Sequence, residues 1–387
     1  MLNPMDMDHH AWAFKPAEPL QKSSTGLLKG LTFSVKDLIG VSPWPLKAST
    51  HAPLPHVPDN PVTQKLLLAG ALLVGKTHLH EIALGIMGMN PVAGQALNPL
   101  SPNRISGGSS SGAAITVATR ECDFALGTDT GGSIRIPAAL CGVYGFKPTH
   151  NLYSTQGVLP LSPTCDHLGT FARSINMIQQ VHQAILGERP LHVSWKGVKV
   201  GLWSIKNWVT PEVWETTENF SHKLQRLGAS VEVFDFQVPA GTYSTIVLAE
   251  AAFIHRAALE REEAGFGEGT LALLQQGKTI PAVQYLAAMK ERDMVLQDLK
   301  GLFHRYDVLI APTVPSIAPL LGEDTLDLPE GKIPMRQAFL RITNPWSLLG
   351  IPVVSVPLPL RGLSIGVQVM LPQGEDARLL GLCAELG

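Results

Sequence analysis

The chain has 387 residues, 45% of them hydrophobic and 16% charged, with a formal net charge of −2. This composition excludes a disordered or coiled-coil protein, and without a Lys/Arg excess it offers no electrostatic footprint for nucleic acid. No run reaches the roughly 18 uninterrupted apolar residues that span a bilayer, so no membrane contact is expected.

Residues 1–26 read as an irregular lead-in. The opening MLNPMDMDHHAWAF carries acids where a secretory signal has a basic region and an apolar stretch, which points to a cytoplasmic protein. Strand LTFSVKD (31–37), a helix from Val62 to Ala69 and strand GALLVGKT (70–77) follow. A helix starts at Gly112, strand DFALGTDT covers 123–130, and helix SINMIQQVHQAIL covers 174–186. After an exposed loop at 188–200 come strand GVKVGLWS, a helix over 211–227 and strand SVEVFDF. Helices over 243–264 and 282–304 form a cap or flank, and the polar stretch 322–334 reads as a second exposed loop. Strands DVLIAPTV, IPVVSVPLP and SIGVQVML complete the pattern. Strands alternating with helices imply an α/β sheet covered on both faces. No repeat or linker marks a boundary, so residues 1–387 read as a single domain.

Cys122, Cys141, Cys165 and Cys383 lack C-x-x-C spacing and suit a reducing compartment as buried thiols. His9 and His10 are a weak metal signal on a chain terminus. With no metal cluster and no nucleotide fingerprint, no cofactor is expected.

The stretch GGSSSGAA (107–114) is too quickly followed by apolar AAITVAT to be a linker, and it lacks the lysine of a phosphate loop. It is a tight packing turn or part of a catalytic site. A second cluster, GTDTGGSIRIP, follows the apolar DFAL and places Ser133 at a strand exit after two glycines. There the backbone N–H groups of Thr130, Gly131, Gly132 and Ser133 can converge on an oxyanion. The plainer alternative makes Ser133 a helix N-cap. No G-x-S-x-G elbow is present, and none of the thirteen histidines has a context that singles it out as the base. Lys36, ending LTFSVKD, is the better candidate, since a lysine in a dry site can be neutral near pH 7. Its plainer alternative is a surface lysine paired with Asp37.

Together these elements resemble the amidase signature hydrolases. The likeness is densest over the segment 98–172, through GGSSSGAA, DFALGTDTGGSIRIPAALCGVYGFKPTH and STQGVLPLSPTCDHLGTFARS. GLTFSVKD resembles the family's lysine strand, GKTHLHEIALG its following helix, YDVLIAPTVP its late strand, and NPWSLLGIPVVSVP with SIGVQVML its C-terminal strands. The resemblance implies an α/β fold, a single large domain with a mixed central β-sheet covered by helices on both faces. It implies Lys36 as base, Ser109 as bridging serine behind a cis Gly108–Ser109 bond, and Ser133 as nucleophile 24 residues further on. Ser110, Asp129 and Arg135 would brace them. Ser106 and His80 depart from the family pattern, where a proline and an acid are usual.

The chain is similar to short plant-type amidases acting on indole-3-acetamide and related arylacetamides. That likeness makes a small-molecule amide the expected partner and Met87, Gly88, Met89 and Trp346 candidate pocket residues, although a methionine stripe also serves as core packing. Alternatives are a glutaminase component of a tRNA-dependent amidotransferase and a non-catalytic amide-binding relative. The oligomeric state stays open, a homodimer included.

Overall fold

The computed structural model describes residues 8–90 and 92–387. In chain order, β1 (Trp12–Phe14), β2 (Thr32–Lys36), α1 (Pro61–Leu68), β3 (Leu72–Thr77), α2 (Ser111–Ala118), β4 (Phe124–Asp129), α3 (Arg135–Cys141), β5 (Tyr144–Lys147), β6 (His167–Ala172) and α4 (Ile175–Leu186) come first. Then follow β7 (Lys199–Trp203), α5 (Pro211–Arg226), β8 (Ser230–Phe234), α6 (Thr242–Ile254), α7 (Arg256–Leu259), α8 (Glu268–Lys278) and α9 (Ala282–Phe303). β9 (Val308–Pro312), β10 (Thr325–Leu328), β11 (Gly331–Pro334), α10 (Met335–Leu348), β12 (Val353–Leu360), β13 (Leu363–Met370) and α11 (Asp376–Ala384) complete the chain.

Eleven strands form one mixed sheet in the order β1-β3-β2-β4-β6-β5-β12-β13-β9-β7-β8. Every residue of β4, β6 and β9 is buried, as expected where helices cover both faces of a sheet. This is the α/β architecture that the strand and helix alternation implies. Local signals set several helix starts. Asn60 caps α1 by accepting the Thr63 N–H at 3.0 Å ahead of Pro61, and Ser174 caps α4 through the Met177 N–H. All four cysteines are buried free thiols. Among the described residues no helix is long and apolar enough to cross a membrane.

Four expectations change. Within the lead-in, Trp12–Phe14 form an edge strand antiparallel to β3. The polar stretch 322–334 contains the β10–β11 hairpin. Its short alternation of buried Leu326 and Leu328 with exposed Asp327 is masked by the charges around it. GKTHLHEIALG makes no full helix: only Glu81–Ala83 form a single 3-10 turn, with Ile82 at φ 44° and Ala83 at φ 66°. The run 243–264 breaks at His255 into α6 and α7.

The site lies where strand ends meet. β2 and β4 are parallel, with Val35 opposite Leu126, so Lys36 comes level with the end of β4. α2 packs over β2, β3 and β4 and brings the serines before its first turn onto the same edge.

Candidate active site

Lys36 is fully buried, and its Nζ donates to Ser109 Oγ and to Thr128 Oγ1, each at 2.7 Å. Burial pulls its pKa down to about 7 against the opposing charges of Asp166 and Asp129. The surface-lysine alternative does not hold, because Asp37 pairs with Lys76 at 2.7 Å instead. The Gly108–Ser109 peptide is cis. Ser110 fastens this turn to β4: its Oγ donates to the Thr128 carbonyl at 3.0 Å, and its N–H donates to the Ser133 carbonyl at 3.2 Å. Lys36, Ser109, Ser110 and Ser133 therefore come together, although they enter from three separate elements.

Ser133 lies between β4 and α3 and lines a narrow cavity of about 10 Å³, room for about one water. Its Oγ hydrogen-bonds to no protein group among the described residues, and it does not cap α3, whose N-cap is Ile134 without a side-chain bond. The glycines before it are sterically required. A Cβ at Gly131 would stand 2.1 Å from the Tyr243 hydroxyl, and one at Gly132, where φ is +131°, would stand 2.4 Å from Thr343 Oγ1. The four backbone N–H groups of the expected nest do not all face the cavity. Gly132 N–H is committed to Asp129 Oδ1 at 2.8 Å, and Gly131 and Ser133 have no acceptor for theirs among the described residues.

Asp129 and Arg135 brace this loop. The guanidinium makes a two-pronged contact with the carboxylate at 3.0 and 2.9 Å, and it reaches Gln368 Oε1 at 2.6 Å, Ser347 Oγ at 2.6 Å and the Thr343 carbonyl at 2.9 Å. Burial would raise the Asp129 carboxyl, but the Arg135 charge and hydrogen bonds overcome it and hold the group below the usual carboxylate range. Arg135 is thus consumed by the scaffold.

Around Ser133 the cavity is completed by Thr130, Gly131, Leu84, Gly85, Ile86, Tyr243, Leu340 and Arg336, among others. Leu84, Gly85, Ile86 and Arg336 also line a larger cleft of about 240 Å³ that carries Met87, Met89 and His80. Of the expected pocket residues, Met87 and Met89 line this outer cleft. Gly88 packs against the serine turn rather than lining the cleft, since a Cβ there would meet Ser106 Oγ at 2.6 Å and the Gly107 carbonyl at 2.7 Å. Trp346 is a core residue: it is wholly buried and packs on Trp203 and Phe236. The departures from the family pattern sit close by. Ser106 Oγ donates to the Ala96 carbonyl at 3.2 Å, and His80 donates its backbone N–H to the Ser109 carbonyl at 3.0 Å.

Thr128, Asp166, Tyr243 and Arg336 escape the sequence reading. Thr128 and Asp166 lie inside the quoted motifs, and Thr128 Oγ1 meets the Lys36 ammonium near the end of β4. Asp166 accepts from Thr130 Oγ1 at 2.6 Å and from the amides of Leu161 and Ser162, while burial raises its carboxyl to about 6. Tyr243 and Arg336 come from α6 and α10 and have no local signal. No group of three or more His, Cys, Asp or Glu side chains among the described residues is placed to hold a metal.

The sheet and this strand-end site define a hydrolase of α/β architecture acting on amide C–N bonds. The amidase family model matches residues 7–380, and the chain belongs to the amidase family. It is similar to a glutamyl-tRNA(Gln) amidotransferase subunit of Synechococcus sp. (strain RCC307), at 32% identity over 93% of this chain and 83% of the relative. A crystal structure of an amidase superposes with a TM-score of 0.90 at 37% identity, covering 93% of this chain and 85% of the other. The corresponding glutamyl-tRNA(Gln) amidotransferase subunit from Thermotoga maritima superposes at 0.80 with 27% identity, covering 99% and 87%.

Proposed function

We propose that this amidase hydrolyses a small carboxylic amide to acid and ammonia through an acyl-enzyme on Ser133. The observation that carries the reading is the dry contact of Lys36 Nζ with Ser109 Oγ at 2.7 Å, with the lysine's pKa lowered by burial to about 7. Neutral Lys36 takes a proton from Ser109, Ser109 takes one from Ser133, and Ser133 Oγ attacks the amide carbon. The oxyanion that forms accepts from the free N–H groups of Gly131 and Ser133. Collapse breaks the C–N bond as the relay returns a proton to nitrogen, which leaves as ammonia. A water then attacks the ester through the same relay, releasing the acid and Ser133.

The apolar outer cleft with Met87 and Met89 supports an acyl group with some hydrocarbon, the arylacetamide type included. The glutaminase reading is favoured by the names of the curated relatives. Ammonia release from arylacetamides, aliphatic amides and glutamine, with and without the other subunits of a tRNA-dependent amidotransferase, separates the two. Ser133→Ala is expected to lower kcat by about 10⁴-fold or more on the best substrate. Undiminished release by that variant would overturn the acyl-enzyme reading.

A further inference from the structure

Arg336, the second residue of α10, lines both the cavity at Ser133 and the larger cleft that shares its wall. It is half-buried, yet it takes part in no ion pair and no side-chain hydrogen bond among the described residues. The contrast with its neighbours is sharp. Arg341, one turn on, holds Glu330, and Arg135 spends its guanidinium on four groups. A partly desolvated guanidinium with no acceptor is costly.

Stability does not explain the residue either, because a cation in the first turn of a helix opposes the helix dipole. Among the described residues no Asp or Glu lines either cavity, and Arg336 is the one formally charged side chain there that faces the space a substrate must enter. His80, the other titratable group there besides Tyr243, is held neutral, its pKa pushed down to about 3 by burial and by the Arg336 charge. Tyr243 is pushed up by burial and stays protonated. The wall therefore offers positive charge with nothing of opposite sign to answer it.

We propose that Arg336 binds a carboxylate on the acyl side of the substrate, so that the preferred amides are half-amides of small dicarboxylic acids. The proposal rests on the acyl-enzyme reading, since it needs the scissile carbonyl at Ser133 and the anion in the shared wall. A planar guanidinium suits a carboxylate because it donates two parallel hydrogen bonds. Glutamine also carries a carboxylate, but its ammonium would enter a cavity whose walls hold a cation and no acid. A half-amide without an amino group is the better match.

The test compares kcat/KM for the monoamides of malonic, succinic and glutaric acids with that for butyramide and glutamine, in the wild type, Arg336→Met and Arg336→Lys. At least one half-amide is expected to exceed butyramide by about 30-fold, the worth of a charge-assisted hydrogen bond. Arg336→Met should collapse that ratio mainly through KM, and Arg336→Lys should restore part of it. A wild type that turns over butyramide as well as every half-amide, a ratio that survives Arg336→Met, or a preference for glutamine overturns the proposal while leaving the amidase reading standing.

Calorimetric binding of the half-amides to Ser133→Ala gives an answer independent of turnover. Binding lost on adding Arg336→Met supports the carboxylate site, and absence of any binding to Ser133→Ala overturns it. If the wild type hydrolyses none of the amides, it is the acyl-enzyme reading that fails.

Discussion

Lys36 at the end of β2 and Lys147 at the end of β5 are both wholly buried, and both are pulled by burial to a pKa of about 7. They differ in what they touch. Lys36 donates to two hydroxyls, Ser109 and Thr128, one of which can surrender a proton. Lys147 donates to the carbonyls of Pro148 and Ile351, which have no proton to give. The second force on each also differs, since the Arg135 charge presses Lys147 further down while Asp166 and Asp129 hold Lys36 up. A lowered pKa marks a buried amine, and the partner decides whether that amine can act as a base.

Substitution breaks the comparison most directly. Lys36→Met should lower kcat by about 10³–10⁴-fold, the size of a lost general base. Lys147→Met should stay within about tenfold in the folded enzyme while costing about 1–3 kcal/mol in urea unfolding, because two buried carbonyls lose their donor. Equal inactivation of both variants in ammonia-release assays would erase the distinction between the two lysines. The pH profile sharpens it. In the proposed relay neutral Lys36 is the active form, so kcat/KM should fall about tenfold per unit below pH 7, and this acid limb should persist in Lys147→Met.

The smallest effect is on stability, and there the two lysines should behave alike. Each has a folded pKa near 7 against the ordinary 10.5, so between those values the unfolded chain holds a proton that the folded chain lacks. Stability therefore rises with pH across this window and is lost as pH falls toward 7, by at most about 1.4 kcal/mol per unit for each group. Either Met variant should flatten the rise in denaturation midpoints measured from pH 7 to 10. A slope that only Lys36→Met changes would mean that Lys147 stays charged in the fold.

Much of this site is legible locally. Lys36 ends an apolar strand, and the two glycine-serine clusters announce turns that side chains would block, as the Tyr243 hydroxyl over Gly131 shows. What the sequence hides is brought in by tertiary packing. Tyr243 and Arg336 approach from helices more than a hundred residues past Ser133, and nothing in their own windows says which face they present. Trp346 sits in a Pro-containing run that does not read as a helix, yet Pro345 is accommodated inside α10 and the indole turns into the core. Strands β5 and β6 are quiet because they carry Gly145 and Gly169, small residues that weaken a strand signal. The structure needs them, since a Cβ at Gly169 would stand 2.2 Å from the Phe146 carbonyl.

The brace around Asp129 has a consequence in time. Arg135 waits for Gln368, 233 residues later in the chain, which at ribosomal rates of roughly 5–20 residues per second takes roughly 12–47 s. Through that interval the nascent segment holds its serines and its lysine without the partners that set the loop. The loop that carries Ser133 therefore gains its full brace only when β13 docks, long after its own residues have been joined.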